Sequence, residues 1–411
     1  MQTLTVVSSL ALFGLLALQI KWVANLSARY RSKQPEPDRA CPHVRVILCL
    51  RGADPSLAGC LGALSEQTYS NWDLRVVLDD SRDPAADLIE RYRENLPNMR
   101  VSVISQLLGT CSLKLNALSS ELTELPDHCE AVTLIDADVK TYPDWLQDMV
   151  APLADPEVGA TTGVRWFSPD KSNPGSCVRM LWNTGAIPQM ARFEIPWGGS
   201  LAMRADFVRE ARLADRWSRM IFEDTDLQTV LNEHGRRLVF VPRATMVNTE
   251  KTSLRNSFRY IRRQMLNARM YHPRWLRIFL FGIASSLLPL LLTVLAIWSL
   301  RTSETIVFQI AGGATAVYLL GMAVLAVCVE RIVTAPRRRD GHSCTLKVLK
   351  ALQYGGLTQL IYFTCLLLVI RQRQIDWRGI EYSCNRDPFN ISMKTYTPYR
   401  SLESDNFSSI V

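Results

Sequence analysis

Three acidic clusters carry the chemistry open to this chain: Asp79-Asp80, Asp136-Ala137-Asp138 and Glu223-Asp224. Carboxylates gathered in one place resist desolvation and repel one another unless a cation balances them. A diphosphate carried on a divalent metal ion is one partner that supplies the balance. The hard oxygens of Asp136 and Asp138 suit Mg2+ or Mn2+, ions that keep several waters and take phosphate oxygens as ligands. Two residues apart on an extended strand end, both side chains point to one side. A carboxylate from Glu223 or Asp224 can then act as general base toward a hydroxyl. Each cluster has a plainer use as well. An aspartate pair ending a strand caps a turn, and an acidic pair ahead of a helix is favoured by the helix dipole. Those uses explain each position singly but not the succession of three.

The elements that must position these groups read as an α/β domain. Residues 44–50, 72–78, 101–104 and 131–135 are short apolar runs rich in β-branched residues, the mark of buried strands. Residues 55–67 and 84–96 have helical spacing between them. Strands alternating with helices predict a mostly parallel sheet, whose ligands bind beyond the C-terminal strand ends. Asp79-Asp80 and Asp136-Ala137-Asp138 both fall at such ends. Leu227, Val230 and Leu231 predict one face of a helix after Glu223-Asp224.

The apolar residues of the 411-residue chain concentrate at its two ends. An uncharged run over residues 3–20 is followed by Lys21, Arg29, Arg31 and Lys33. A signal peptide places its charge before the apolar core, so this run predicts a retained anchor. Residues 278–300 and 306–328 are each long enough to span a bilayer, which takes about 20 apolar residues. Residues 351–370 form a weaker candidate, carrying Gln353 and Gln359. Basic residues after the first span, between Arg262 and Arg277, and at Arg331 and Arg337-Arg338-Arg339 agree on one orientation. It places the N-terminus outside and residues 21–277 in the cytoplasm. The net charge of +8 is then largely a topological and lipid-facing signal, and no zinc spacing or recognition-helix pattern supports a nucleic-acid partner. Ten cysteines without a CxxC pair predict reduced structural thiols. The resulting organisation is an anchor (1–20), a linker (21–43), a catalytic domain (44–277), membrane or interfacial helices (278–371) and a tail (372–411) in which no signal is legible beyond about Tyr382.

The stretch VRVILCLRGADPSLAGCLGALSEQTYSNWDLRVVLDDSRDP resembles the opening of a family 2-type glycosyltransferase with the GT-A fold. LRGADPSL, Asp83-Pro84-Ala85 and the later segments are similar, more narrowly, to the ceramide glucosyltransferases and their bacterial relatives. That resemblance implies a Rossmann-like, mostly parallel sheet and roles for named residues. Asp80, or Asp79, would contact the uridine of a UDP-sugar, and Lys114 would lie near its diphosphate. Asp138 would hold Mg2+ or Mn2+, with Asp136 contacting ribose or metal-bound water. Asp224, beside Glu223, would be the catalytic base, and the loop with Trp197, Gly198 and Gly199 would face the acceptor. Trp197 floors the sugar, meets the membrane or fills core. The family's last signature, Gln or Arg followed after two residues by Arg-Trp, is incomplete. Arg259 with Arg262, or Gln264 with Arg269, imitates parts of it, neither register with the Arg-Trp pair, and Arg262, Arg263 and Gln264 remain candidates for the diphosphate. The expected activity is inverting transfer of a hexose, glucose favoured, from a UDP-sugar to a lipid hydroxyl in the bilayer. A processive polysaccharide synthase and a non-catalytic scaffold are the alternatives. The short element from Ile375 to Gly379 also resembles one found in related lipid glycosyltransferases. Three C-terminal spans place it outside, whereas a place near the active site makes residues 351–370 re-entrant or interfacial.

Overall fold

A computed structural model describes residues 1–32, 41–170, 172–340, 347–385 and 387–399. Helix α1 (Gln2–Arg31) leads into β1 (Val44–Leu50), α2 (Leu57–Ser65), β2 (Trp72–Leu78), α3 (Ala85–Glu90) and β3 (Met99–Val103). Next come α4 (Leu113–Thr123), β4 (Ala131–Ile135), α5 (Trp145–Val150), β5 (Val158–Phe167), α6 (Pro174–Phe193) and β6 (Ser200–Arg204). Short helices α7 (Ala205–Glu210), α8 (Leu213–Trp217) and α9 (Leu227–Glu233) precede β7 (Arg237–Asn248).

These strands form one seven-stranded sheet in the order β3-β2-β1-β4-β6-β5-β7. All neighbours run parallel except β6, which lies antiparallel between β4 and β5. The central strands are buried on both faces, which is why they read as unbroken apolar runs. One face packs on α2, α3 and α5 through residues such as Leu61, Ile89 and Trp145. The other packs on α4, α8 and α9 through Leu118, Trp217 and Leu231.

Among the described residues, four helices are long and apolar enough to cross a membrane, the first near the N-terminus. Helix α1 continues past the expected anchor through Arg31, because residues 21–31 contain no helix breaker and bury Trp22, Val23 and Leu26. Tyr30 reaches the sheet, its hydroxyl 2.9 Å from Thr245 Oγ1. The linker therefore starts later than residue 21, and residues 33–40 lie outside the described residues. After the sheet, α10 (Leu254–Tyr271) is an amphipathic helix, followed by α11 (Trp275–Thr302) and α12 (Thr305–Thr334). Helices α1, α11 and α12 pack together through Leu12, Leu292, Leu295, Ala311 and Tyr318.

Helices α13 (Lys347–Ala351) and α14 (Gly355–Arg371) make up the weaker candidate span. At its start Lys347 Nζ donates to Ser168 O of the globular domain, 3.2 Å. At its end Arg269 of α10 donates to Ile370 O and Gln372 O, 3.0 and 2.9 Å. Strands β8 (Gln374–Trp377), β9 (Ile380–Cys384) and β10 (Ile391–Thr395) follow as an antiparallel sheet. This sheet docks on the globular domain: Tyr382 Oη accepts from Leu113 N at 3.2 Å, and Met393 N donates to Gly109 O at 2.7 Å. If α1, α11 and α12 cross the bilayer, a crossing by α14 would put this sheet on the far side from the domain it touches. Of the two readings of the element from Ile375 to Gly379, the docking agrees with the place near the active site, with residues 351–370 re-entrant or interfacial. The segment beyond Tyr382, in which the sequence shows no legible signal, holds the end of β9 and its partner strand β10.

Candidate active site

The three acidic clusters converge at the C-terminal edge of the sheet. Asp79 and Asp80 follow β2 directly, and successive residues of an extended chain face opposite sides. Asp79 turns inward, where Arg51 Nη1 donates to its Oδ2. Its Oδ1 is buried without a hydrogen-bond partner among the described residues. Burial pushes the Asp79 carboxyl up, against the pull of Arg51. Asp80 turns outward instead, and its Oδ1 accepts from Arg82 N at 2.8 Å and Arg82 Nε at 3.2 Å. Asp79, rather than Asp80, lines the cleft. Asp83 builds the loop opposite, accepting from Gly52 N at 2.7 Å and Ala85 N at 2.8 Å.

Asp136 and Asp138 extend from the end of β4 into a net of cations. Lys114, in the first turn of α4 behind a Ser112 cap, donates to Asp136 Oδ1 at 2.8 Å and to Glu223 Oε1 at 2.5 Å. Arg165, projecting from β5, donates to Asp136 Oδ2 at 2.9 Å and Asp138 Oδ1 at 3.0 Å. Asn248 at the end of β7 adds a bond to Asp138 Oδ2, 3.2 Å. Burial opposes the charge of Asp136, but Lys114 and Arg165 hold its carboxyl down at about 2. Asp138 is pushed up by burial, with Arg165 opposing. Burial works against the Lys114 charge too, yet Asp136 and Glu223 drive its pKa above the ordinary lysine range.

Glu223 and Asp224 lie in the loop ahead of α9. Glu223 is 4% exposed, and burial raises its carboxyl. Asp224 Oδ1 accepts from Thr225 N at 2.7 Å and from Asn267 Nδ2 at 2.8 Å. These bonds, and a third from Thr225 Oγ1 at 3.2 Å, all fall on Oδ1, so among the described residues Oδ2 is the oxygen open to a proton. The neighbouring loop comes very close. A Cβ on Gly198 would run into the Glu223 carboxylate, and one on Gly199 would lie 2.5 Å from Asp136 Oδ2. Trp197 lines the cleft with its ring centroid 4.7 Å from the Arg165 guanidinium.

From α10, Arg263 and Gln264 line the cleft, whereas Arg262 lies over Phe258 at 5.9 Å and is not among the lining residues. Burial lowers Arg263 to about 10. The aromatic group missing from α10 is met from the tail: Trp377 lies 5.6 Å from Phe222 and 5.6 Å from the Arg263 guanidinium. Arg51, Arg165 and Asn267 are site residues that the sequence did not single out, whereas Trp377 and Arg378 belong to the element from Ile375 to Gly379, for which a place near the active site was one of the two readings. The signal for Arg165 was present in the sequence, the one charge within the ten-residue strand VGATTGVRWF. Asn267 carried none, because its role depends on where α10 packs.

The carboxylates open into a cavity of about 980 Å3. It runs from Asp79, Asp138 and Asp224 past Trp22 to Leu290, Thr293, Thr315 and Leu319 of the membrane-type helices. No group of three or more acidic, histidine or cysteine residues able to hold a metal occurs among the described residues. Two adjacent aspartates still fit an ion of the Mg2+ or Mn2+ kind, which uses few protein carboxylates and completes its shell with water and phosphate.

The sequence profile of the family described as Glycosyl transferase family 21 matches residues 4–389. An N-acetylglucosaminyltransferase of Bradyrhizobium elkanii is 27% identical over 126 residues, 30% of this chain and 65% of that protein. The chain thus spans just under two thirds of the length of that relative. Among solved structures, the mannosyltransferase PcManGT from Pyrobaculum calidifontis, in complex with GDP-Man and Mn2+, superposes with a TM-score of 0.50. The superposition covers 89% of this chain and 99% of that one at 17% identity, a likeness of fold.

Proposed function

The chain belongs to glycosyl transferase family 21, and on that premise we propose that it moves a hexose, glucose favoured, from a UDP-sugar to the hydroxyl of a membrane lipid. The supporting observation is the cavity that joins the acidic cluster to the membrane-type helices. One substrate would arrive from water at the strand ends, the other along the helices. Orientation follows the basic residues, with residues 21–277 in the cytoplasm.

In this reading Asp79 and Arg51 meet the nucleoside end, and Trp197, Gly198 and Gly199 border the acceptor. Asp224 takes the proton of the acceptor hydroxyl on Oδ2 as the hydroxyl oxygen attacks the anomeric carbon. The bond from that carbon to the diphosphate oxygen breaks in the same displacement, so an α-linked donor yields a β-glycoside. Asn267 holds the Asp224 carboxylate in place while this happens. Lys114 and Arg165 offset negative charge around the departing nucleoside diphosphate, where fixed charges act strongly. A Mg2+ or Mn2+ ion held by Asp138 and Asp136 would supply Lewis-acid help to the leaving group when bound.

The test is UDP release by the detergent-solubilised full chain with Mg2+ or Mn2+, across a panel of UDP-sugars, with and without a total lipid extract. Release stimulated by lipid, and abolished by Asp138→Ala and by Asp224→Ala, is the expected result. Release that ignores lipid and builds a polymer would favour a polysaccharide synthase. No release and no UDP binding would leave a scaffold.

A further inference from the structure

The chain returns to the cleft after its last apolar helix. Strands β8 and β9 are joined by Arg378 and Gly379, whose φ angles are 51° and 78°. A two-residue hairpin with positive φ at both positions favours Asn-Gly, Asp-Gly or Gly-Gly, because a Cβ is crowded there. Gly379 obeys this preference and Arg378 does not. A side chain held in such a conformation points to a use for that side chain.

Its contacts indicate the use. Arg378 Nη1 donates to Arg51 O at 2.6 Å while Arg51 Nε donates back to Arg378 O at 2.9 Å. Arg378 Nη2 makes a longer bond, 3.3 Å, to Asp54 Oδ2. The same Arg51 holds Asp79, and Tyr396 Oη donates to Asp79 O at 3.1 Å. The hairpin tip therefore lies between the nucleoside end of the cleft and Asp136-Ala137-Asp138, and Arg378 lines that cleft. Lys114 and Arg165 are each committed to two carboxylates at 3.0 Å or less. Among the described residues Arg378 shares one carboxylate, at the longer distance, so its guanidinium can re-pair at lower cost. A planar guanidinium also matches phosphate oxygens in a two-pronged fashion that a lysine lacks. Beside it, Trp377 packs on Phe222, the residue immediately before Glu223-Asp224.

We propose that Arg378 binds the diphosphate of the nucleotide-sugar and that Trp377 is a positioning residue that seats Phe222, and through it Glu223-Asp224. The inference rests on the nucleotide-sugar reading above. It makes the active site a joint product of the sheet domain and of a hairpin that follows the membrane helices.

Arg378→Asn is the informative variant, because asparagine suits the turn while the cation is lost together with its bonds to Arg51 O and Asp54, and the backbone bond from Arg51 Nε to residue 378 O can remain. In the detergent-solubilised full chain with Mn2+, it should raise the Kd for UDP and the KM for the donor about 10- to 100-fold. The affinity for uridine, measured by competition, should not change. Arg378→Lys should recover part of the loss. Trypsin cleavage of the tail should match that of the unaltered chain, showing the hairpin still docked. Trp377→Ala should lower kcat with little change in donor KM, and Trp377→Phe should restore most of it. An unchanged UDP affinity in Arg378→Asn overturns the proposal. So does an equal loss for uridine and UDP, or a loss accompanied by tail cleavage, since each marks a structural role. Failure of the unaltered chain to bind any nucleoside diphosphate overturns the functional reading itself, and it is visible without a variant.

Discussion

Replacing Lys114 with methionine tests the charge balance of the site. The ammonium is bonded to Asp136 at 2.8 Å and to Glu223 at 2.5 Å, and Glu223 is buried. Removing one member of a buried ion pair costs about 3–5 kcal/mol, because the remaining charge keeps its desolvation penalty. The Lys114 side chain is 18% exposed, which places the cost near the lower figure, about 3 kcal/mol. For a domain of this size that corresponds to a fall in Tm of roughly 6–12 °C. The loss should depend on pH with a definite sign. With Lys114 in place, Asp136 titrates at about 2, so its contribution to stability is present above the unfolded carboxylate range and fades only toward pH 2. Without the lysine, the folded-state pKa of both Asp136 and Glu223 rises. A raised carboxyl costs stability at high pH and recovers it as the group takes up a proton. The deficit of Lys114→Met should thus be largest near pH 8 and shrink toward pH 5. Adding Glu223→Gln should return a sizeable part of it, a coupling a double-mutant cycle reads directly. Thermal unfolding of the four proteins in detergent across that pH range is the assay. A deficit that is flat with pH, or that grows on acidification, refutes the charge-balance account.

Three further outcomes follow from the same geometry. Asp224→Asn should lower kcat about 10²- to 10⁴-fold while leaving donor KM nearly unchanged, and Asn267→Ala should lower it by a smaller factor, about tenfold, through loss of one bond to Asp224. Full activity in both would remove Asp224 from the base role. Gly198→Ala places a methyl group against the Glu223 carboxylate, so kcat should drop at least about tenfold with only a small change in Tm, of the order that overpacking brings; a variant as active as the parent would show that the loop has slack. Glu250, raised to about 7 by burial despite Arg179, is favoured in its protonated form. Its stabilising share is complete below the unfolded pKa and disappears as pH rises through 7. Glu250→Gln should therefore raise Tm at pH 8 and give no gain at pH 4, with equal gains at both values counting against it.

Strands β1, β2 and β4 run over the residues expected of them, because a central parallel strand is buried on both faces and must be apolar throughout. The edge strand β3 is displaced by two residues at its start from the expected 101–104, since only part of it is buried and its pattern is weaker. Helix α3 stops at Glu90, short of the expected 84–96, and continues as turns. The placing of acidic clusters at strand ends was legible for the same reason as the strands, while the family was legible through the resemblance of its motifs. Short-range pattern fixes where a strand stops, and the residue after the stop inherits its position.

The sequence by itself determined the α/β domain between apolar ends, the order of the acidic clusters and the family to which they belong. Only the tertiary structure decided which aspartate of the first pair faces inward, a choice made by one step of strand alternation and by Arg51. It alone joined Lys114, Arg165 and Asn267 to carboxylates far from them in the chain. It also brought Trp377 and Arg378 back to the cleft, 327 residues from the Arg51 carbonyl that Arg378 holds. Periodicity and composition describe neighbours along the chain, whereas these pairings arise when distant elements share one buried volume and each charge must find a partner there.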